Sequence, residues 1–133
     1  MANIVLAMLV SCTGGTRDGL TLSGLNPKNF EMTQDGIQCH LYTLKNKNDV
    51  EVCITNFGGR IVSIMVPDKN GKMKDVVLGF DSIGKYRRIP SDFGAIIGRY
   101  ANRIDHGKII VEGKEIQLPT NNYGHTLHGG PDG

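Results

Sequence analysis

The chain has 133 residues, of which 21% are charged, and a formal net charge of only +2. This length allows one small domain, and the low charge without a basic run argues against nucleic acid as a partner. The 18 glycines separate short apolar runs without forming a periodic repeat, which indicates a β protein rich in turns.

The first twelve residues resemble a bacterial lipoprotein signal. The apolar stretch 4–10 is followed by Ser11 and Cys12, and then by polar residues as far as Gly19. In such a signal the chain is cut before the Cys, which then carries lipid. No Lys or Arg precedes the apolar run, and the run is short for a signal core. We expect residues 1–12 to be this signal and lipidated Cys12 to anchor the protein in the cell envelope or periplasm. The alternative is an ordinary apolar N-terminus and a cytoplasmic protein.

Regular periodicity begins only at Gln38. Residues 13–36 are rich in Gly, Thr, Asn and Asp, and we predict a linker that leads into the folded part. Residues 40–44 predict a strand, which the polar run 45–49 ends. Over residues 50–55 apolar and polar side chains alternate with a period of two, which predicts a half-buried strand.

The next strands are separated by turn residues. Alternation over 62–66 predicts a strand, and Asn70-Gly71 after it predicts a tight hairpin in which both residues have positive φ. The continuous apolar run 76–80 is bounded by charges and predicts a fully buried strand. Residues 81–90 predict a short helical turn or loop, which Asp81 or Ser82 caps.

One more hairpin completes the pattern. Residues 109–111 and 115–118 flank Glu112-Gly113-Lys114, which has turn chemistry. No stretch of ten or more residues shows helical periodicity. We therefore predict a mainly β, antiparallel fold, with no domain boundary after residue 36.

The three cysteines, Cys12, Cys39 and Cys53, lack metal-ligand spacing. We expect Cys39 and Cys53 to be small buried side chains on neighbouring strands. A disulfide between these two residues is the open alternative. Neither a metal cluster nor a phosphate-binding loop is recognisable in the sequence, and we expect no cofactor.

Two glycine-rich segments carry side chains suited to a neutral sugar. The first, 93–104, contains Asn102-Arg103, and the second, 121–131, contains His128 followed by two glycines. Arg and Asn can donate and accept at ring hydroxyls, His can donate at a ring oxygen, and Gly lets the backbone approach closely. The lack of Trp weakens this interpretation, because aromatic rings commonly stack on sugars.

These segments resemble the aldose 1-epimerase (galactose mutarotase) family, and the resemblance spans about residues 36–133. Six motifs match in order: Thr55-Asn-Phe-Gly-Gly, Val66-Pro-Asp-Lys-Asn-Gly, Asp75-Val-Val-Leu-Gly-Phe, Phe93-Gly-Ala, Gly98-Arg-Tyr-Ala-Asn-Arg-Ile and Leu127-His-Gly-Gly. The resemblance implies a partial antiparallel β-sandwich, the N-terminal portion of the family's super-sandwich. Residues 37–133 would then be a truncated epimerase domain.

The resemblance also implies an activity, the interconversion of the α and β anomers of free hexoses such as galactose or glucose. In the family a Glu base and a His acid from later segments open the ring, so we expect both of them beyond Gly133 and no catalytic residue within this chain. The implied sugar-binding residues are Asn102, Arg103 and His128.

Two alternatives remain open. The first is a non-catalytic sugar-binding β-domain on the same scaffold. The second is an epimerase for a phosphorylated hexose, which would need more cations near the sugar, and Arg87-Arg88 is the only local candidate.

The other polar residues have simpler interpretations. Arg99 competes with Arg103 for the sugar, but we expect it to pair with an acid. Asn102 could instead cap a turn. We expect the remaining histidines (His40, His106 and His125) to be surface or strand residues, and the nearby acids (Asp81, Asp92 and Asp105) to be solvated.

Overall fold

The computed structural model describes residues 19–98 and 100–131. They form two compact units, one that ends at Ala95 and one that begins at Ile96. Within each unit, all the strand pairs among the described residues are antiparallel. The predicted signal with Cys12, and also Arg99 and Gly133, lie outside the described residues. Within those residues, no helix has the length and apolar character needed to cross a membrane.

The first unit opens with a 3-10 turn, Pro27–Phe30, and a hairpin of β1 (Met32–Gln34) and β2 (Ile37–Cys39). The Asn26 side chain accepts the N–H of Lys28 at 3.0 Å and caps the turn. Phe30 is fully buried in the core. The segment predicted as a linker therefore packs against the sheet in its described part, because one buried aromatic ring offsets much of the entropy lost on ordering it.

The next four strands form a meander in the order β3 (Leu41–Lys45), β4 (Glu51–Thr55), β5 (Arg60–Pro67) and β6 (Met73–Asp75). Their positions confirm the strand predicted over 40–44 and the two predicted from alternation over 50–55 and 62–66.

The alternation in β4 has a polar buried face. Glu51, Cys53 and Thr55 are buried, whereas the apolar side chains between them are only half-buried. The backbone N–H of Leu22 donates to the Glu51 carboxylate at 2.6 Å, so the N-terminal part of the unit covers this face and satisfies the acid. Local sequence could not indicate this cover, because Leu22 lies 29 residues from its partner.

The turn between β5 and β6 depends on Asp68. Its carboxylate accepts the N–H groups of Asn70 at 2.8 Å and Lys72 at 2.9 Å, and its carbonyl accepts the N–H of Gly71 at 2.9 Å. Gly71 has positive φ (77°), but Asn70 does not. The hairpin is confirmed, but the predicted positive φ at Asn70 is wrong, because Asp68 supplies the bonds that close a different turn.

The fully buried strand predicted over 76–80 is wrong. Regular pairing ends at Asp75, whose carboxylate accepts the N–H groups of Ile64 and Val77, both at 3.1 Å, in place of a ladder partner. Val76 and Leu78 are 63% and 73% exposed. One further backbone bond reaches β5, from the N–H of Val76 to the carbonyl of Ile64 at 3.0 Å. The segment also runs close to β5 at Gly79, where a Cβ would overlap the carbonyl oxygen of Val62.

The helix α1 (Ile83–Arg88) follows, with Ser82 at the N-cap position but without a capping bond from its side chain. Ile83 and Tyr86 turn into the core, and the Tyr86 hydroxyl accepts the N–H of Phe80 at 3.1 Å. The core cluster contains residues from the 3-10 turn, the hairpin, the sheet and the helix: Phe30, Cys39, Cys53, Val62, Ile83 and Tyr86. Both described cysteines are buried and free, which confirms their predicted burial. The predicted placement on neighbouring strands is wrong, because Cys39 lies in β2 and Cys53 in β4, and these strands belong to different sheets.

The second unit contains two short antiparallel pairs. One is the predicted hairpin, in which β8 (Lys108–Val111) pairs with β9 (Lys114–Gln117). Its turn residues Glu112 and Gly113 both have positive φ, 50° and 75°, which matches the twist of the strands. The other pair joins β7 (Arg103–Ile104) to β10 (Thr126–Leu127), and it positions the candidate site.

Candidate functional site

The two motifs that were predicted to bind a sugar meet at the pair of β7 and β10. Arg103 is in register with Leu127, so Asn102 before β7 and His128 after β10 lie side by side. Asn102 (φ 60°) and His128 (φ 54°) both have left-handed backbones. Asn tolerates this region well, whereas His adopts it at some cost, which surrounding bonds must offset.

Those bonds join the two residues directly. The backbone N–H of Asn102 donates to Nδ1 of His128 at 3.0 Å, and the backbone N–H of His128 donates to the carbonyl oxygen of Asn102 at 2.9 Å. The first bond also fixes the histidine tautomer. Because Nδ1 accepts a hydrogen bond, the neutral ring carries its hydrogen on Nε2. His128 therefore presents an N–H donor at the far edge of a half-buried ring.

The Arg103 guanidinium is held by amide oxygens. Its Nε donates to Oδ1 of Asn122 at 2.9 Å, and its Nη1 donates to Oδ1 of Asn102 at 3.3 Å. Arg103 is exposed, and among the described residues no carboxylate lies within ion-pair distance of it. The remaining N–H groups of the guanidinium are thus oriented and available to a ligand.

Asn121 and Asn122 form the support that the sequence interpretation missed. Asn121 donates from Nδ2 to the carbonyl of Leu127 at 3.0 Å and accepts its N–H at 2.7 Å. Asn122 pairs with His125 in an isolated bridge, and the turn between them has positive φ at Tyr123 and Gly124. The doublet of asparagines before a Tyr-Gly turn is the signal that could have suggested this role, since Asn commonly closes such turns.

Packing beneath the site fixes the strands. Thr126 is buried, and its hydroxyl donates to the carbonyl of Pro119 at 2.7 Å. At Gly107 (φ 68°) a Cβ would lie 2.7 Å from the carbonyl oxygen of Leu118 and 2.9 Å from Oγ1 of Thr126. This corner accepts only glycine, so the ends of β7 and β10 are held at a fixed separation.

The arrangement is suited to a neutral polyhydroxy ligand. Asn102 offers an amide, Arg103 a fork of donors and His128 one directed N–H, and these groups lie within one bonded cluster. Hydrogen bonds from charged donors to hydroxyls contribute about 1.5–3 kcal/mol each. The three side chains that the sequence analysis selected are therefore brought together by the structure.

The remaining predicted residues lie elsewhere. Arg87 and Arg88 are exposed in the last turn of α1, in the first unit. Asp81 is solvated as expected, and the hydrogen bond from Lys85, 2.7 Å away, lowers the pKa of its carboxyl. Asp105 is exposed but differs from the simple solvated acid that we expected, because it contacts two histidines.

Comparison with known proteins gives a consistent set of relatives. A sequence model of the aldose 1-epimerase family matches residues 40–133. A probable aldose 1-epimerase from Arthroderma benhamiae is 36% identical over 129 residues, which cover 84% of this chain and 29% of that protein. A galactose mutarotase from Rattus norvegicus is 43% identical over 83 residues, which cover 62% of this chain and 24% of that protein.

A solved structure agrees with these sequences. The GalM/aldose epimerase homologue from C. elegans superposes with a TM-score of 0.67 at 37% identity, over 71% of this chain and 29% of that one. The chain thus spans less than a third of the length of each of these three relatives.

Proposed function

The chain belongs to the aldose 1-epimerase family, and from this membership we propose that it carries the sugar-binding part of a mutarotase site. The predicted family and the mainly β fold are confirmed. The observation that carries the proposal is the bonded cluster of Asn102, Arg103 and His128, which brings donors from two separate motifs to one place.

The proposed reaction interconverts the α and β anomers of a free hexose such as galactose or glucose. A base removes the proton of the C1 hydroxyl while an acid protonates the ring oxygen, so the bond from C1 to the ring oxygen breaks. The C1–C2 bond then rotates, and the ring closes on the other face of the carbonyl. Each proton transfer contributes about 10²–10⁴-fold when the group is positioned and tuned.

In this proposal the described residues bind and orient the sugar. Arg103 and Asn102 hold ring hydroxyls, and the Nε2–H of His128 donates on the side of the ring oxygen, where charge changes as the ring opens. The acid His and the base Glu of the family come from later segments, as the resemblance implies, and we expect both beyond Gly133. The present residues therefore supply binding energy and orientation, which count toward the rate only once the acid and base are in place.

Polarimetry on the protein expressed from its complete reading frame tests the function. Freshly dissolved α-galactose or α-glucose should reach its equilibrium rotation faster with protein than with buffer, and Arg103→Ala should remove most of the acceleration. The 133-residue chain alone should give no acceleration above buffer. Sugar binding by the complete protein without any acceleration would favour the alternative, a non-catalytic carbohydrate-binding β-domain.

A separate part of the proposal concerns location. We propose that Cys12 is lipidated after cleavage of the preceding apolar segment, so that the protein is anchored in the cell envelope. Support comes from the order of the apolar run, Ser11 and Cys12. Expression in the native host should give membrane-associated protein with an acylated Cys12 by mass spectrometry. Soluble protein with residues 1–12 intact would instead indicate the cytoplasmic alternative.

A further inference from the structure

Asp105, His106 and His125 form a cluster of metal-ligating side chains in the second unit. One ligand atom from each residue lies within 4.8 Å of the other two. From this geometry we propose that the cluster binds a divalent transition-metal ion such as Zn²⁺. This site is distinct from the sugar-binding residues, and the proposal does not depend on the sugar chemistry.

The distances are close to those that a single ion requires. Oδ1 of Asp105 lies 2.9 Å from Nδ1 of His106 and 3.2 Å from Nδ1 of His125. Ligands about 2.0–2.1 Å from a tetrahedral zinc ion are separated by about 3.3 Å. Both distances from Asp105 lie close to that spacing, so small rotations of the side chains would reach it.

The hydrogen bonds leave a mismatch that a cation would relieve. Nδ1 of His125 accepts the backbone N–H of His106 at 3.1 Å, so this nitrogen presents a lone pair. The same nitrogen faces Oδ1 of Asp105, which is also an acceptor. Two acceptors at this distance repel unless a positive charge lies between them. A bound ion would take both lone pairs and remove this repulsion, and the N–H of His106 would bond to water instead.

The ligands are carried by backbone that is already fixed. His106 lies in the turn Asp105–Gly107 with a left-handed backbone (φ 46°). The next residue, Gly107, is packed tightly against Leu118 and Thr126, which restrains the turn. His125 is held by its bridge to Asn122. The ion would therefore join two rigid corners from separate parts of the sequence, which lowers the entropy cost of assembling the site.

The chemistry of the ligands indicates the class of metal. Two imidazoles and one carboxylate favour zinc, nickel, cobalt or copper, whereas magnesium and calcium prefer a set of oxygens. The side chains of Asp105 and His106 are 84% and 70% exposed, and that of His125 is 31% exposed. Water can therefore complete the coordination, and the metal can exchange with solvent.

Titration of the purified chain with Co²⁺, followed by visible absorption, tests the site directly. We expect one equivalent to bind with a spectrum of nitrogen and oxygen ligands. Asp105→Asn and His125→Gln should each weaken binding by roughly tenfold or more. His40→Gln is the matched control, because His40 is an exposed histidine outside the cluster. This variant should bind Co²⁺ with the same affinity as the unmodified chain. Unchanged affinity in both cluster variants, or a thiolate-to-cobalt band, would refute the site.

A second measurement does not require any variant to fold. In the imidazole region of the NMR spectrum, substoichiometric Ni²⁺ should broaden the signals of His106 and His125 before those of His40 and His128. Equal broadening of all four histidines would mean non-specific surface binding and would overturn the proposal. Zn²⁺ in equal amount should also raise the melting temperature of the chain, because it binds the folded form.

Discussion

Asn102 and His128 exchange two hydrogen bonds, one from each backbone N–H, although 26 residues separate them in sequence. Only one of these bonds uses a side-chain atom, Nδ1 of His128, and among the described residues no hydrogen bond is made to Nε2 at the opposite edge of the ring. The same residue therefore joins the two motifs and, in the proposed function, presents a donor to the sugar. These two roles can be separated by substitution.

His128→Asn should keep the hydrogen bond from the Asn102 N–H but lose the Nε2–H donor. The Asn side-chain oxygen can occupy the place of Nδ1 and accept the N–H of Asn102, but nothing replaces Nε2–H. In the complete protein we expect kcat/KM to fall about ten- to hundredfold with little change in melting temperature. Polarimetric rates and thermal denaturation measure the two effects.

His128→Gln is the matched comparison. Its longer side chain can place a donor near Nε2 but cannot accept at the position of Nδ1, so it should lower the melting temperature more than His128→Asn does. If His128→Asn keeps kcat/KM within about twofold of the unmodified protein, His128 does not contact the sugar.

Arg103→Ala should lower kcat/KM by roughly ten- to hundredfold in the complete protein, because hydrogen bonds from a charged donor contribute about 1.5–3 kcal/mol each. Arg103→Lys should recover only part of the rate, since an ammonium cannot bond to Asn122 and to hydroxyls with the geometry of the guanidinium. Steady-state polarimetry provides the values. Full activity in Arg103→Lys would show that only the charge matters.

Asn122 positions Arg103 and does not need to touch the sugar. Asn122→Ala removes the acceptor of Nε and frees the guanidinium to rotate, so we expect a fall of about three- to tenfold in kcat/KM. Asn122→Asp keeps an acceptor at the same position and should retain most of the rate. A merely structural role would predict similar losses in both variants, together with a lower melting temperature.

Burial raises the pKa of the Cys53 thiol, and the nearby Glu51 carboxylate also raises it, while the hydrogen bond with Thr43 acts in the opposite direction. The folded state then holds this proton more tightly than the unfolded state does. The resulting stability is fully present below the thiol's unfolded pKa, about 8.5, and is lost as pH rises through the higher folded pKa.

Urea denaturation between about pH 7 and pH 10 measures this dependence. The free energy of unfolding should decrease above about pH 8.5, and the decrease should be smaller in Cys53→Ala. Iodoacetamide should also modify Cys53 slowly in the folded chain and quickly in urea. The same slope in both chains would show that other groups dominate the alkaline loss of stability.

The sequence predicted those features that depend on residues close together along the chain. The hairpin at Glu112-Gly113 follows from two turn residues with positive φ, and the alternation over 50–55 predicted β4. Longer-range contacts could not be predicted in this way. The buried polar face of β4 depends on Leu22, and the orientation of Arg103 depends on Asn122, which lies 19 residues away.

The error at 76–80 has a similar cause. A continuous apolar run is typical of a buried strand, but pairing with β5 stops where the Asp75 side chain takes the place of a backbone partner. An apolar run does not show whether a neighbouring strand continues beside it, and Val76 and Leu78 of this run are exposed. The six family motifs, in contrast, carry information about the whole fold, and the three residues selected from them, Asn102, Arg103 and His128, lie in one bonded cluster.

The last prediction concerns Gly94 in the Phe93-Gly-Ala motif. Its φ is 63°, its carbonyl accepts the N–H of Ile61 at 2.9 Å, and a Cβ there would overlap the carbonyl oxygen of Ile61. Gly36 has a similar φ of 78° but nothing within 4 Å of the added Cβ, so it is the matched control. Gly36→Ala should cost about 1–2 kcal/mol, the penalty of a left-handed backbone alone. Gly94→Ala should lower the free energy of unfolding by about 3 kcal/mol or more, because the overlap also displaces the loop around Gly94 from β5. Urea denaturation of the two variants separates the contributions, and equal losses would mean that the loop moves aside without resistance.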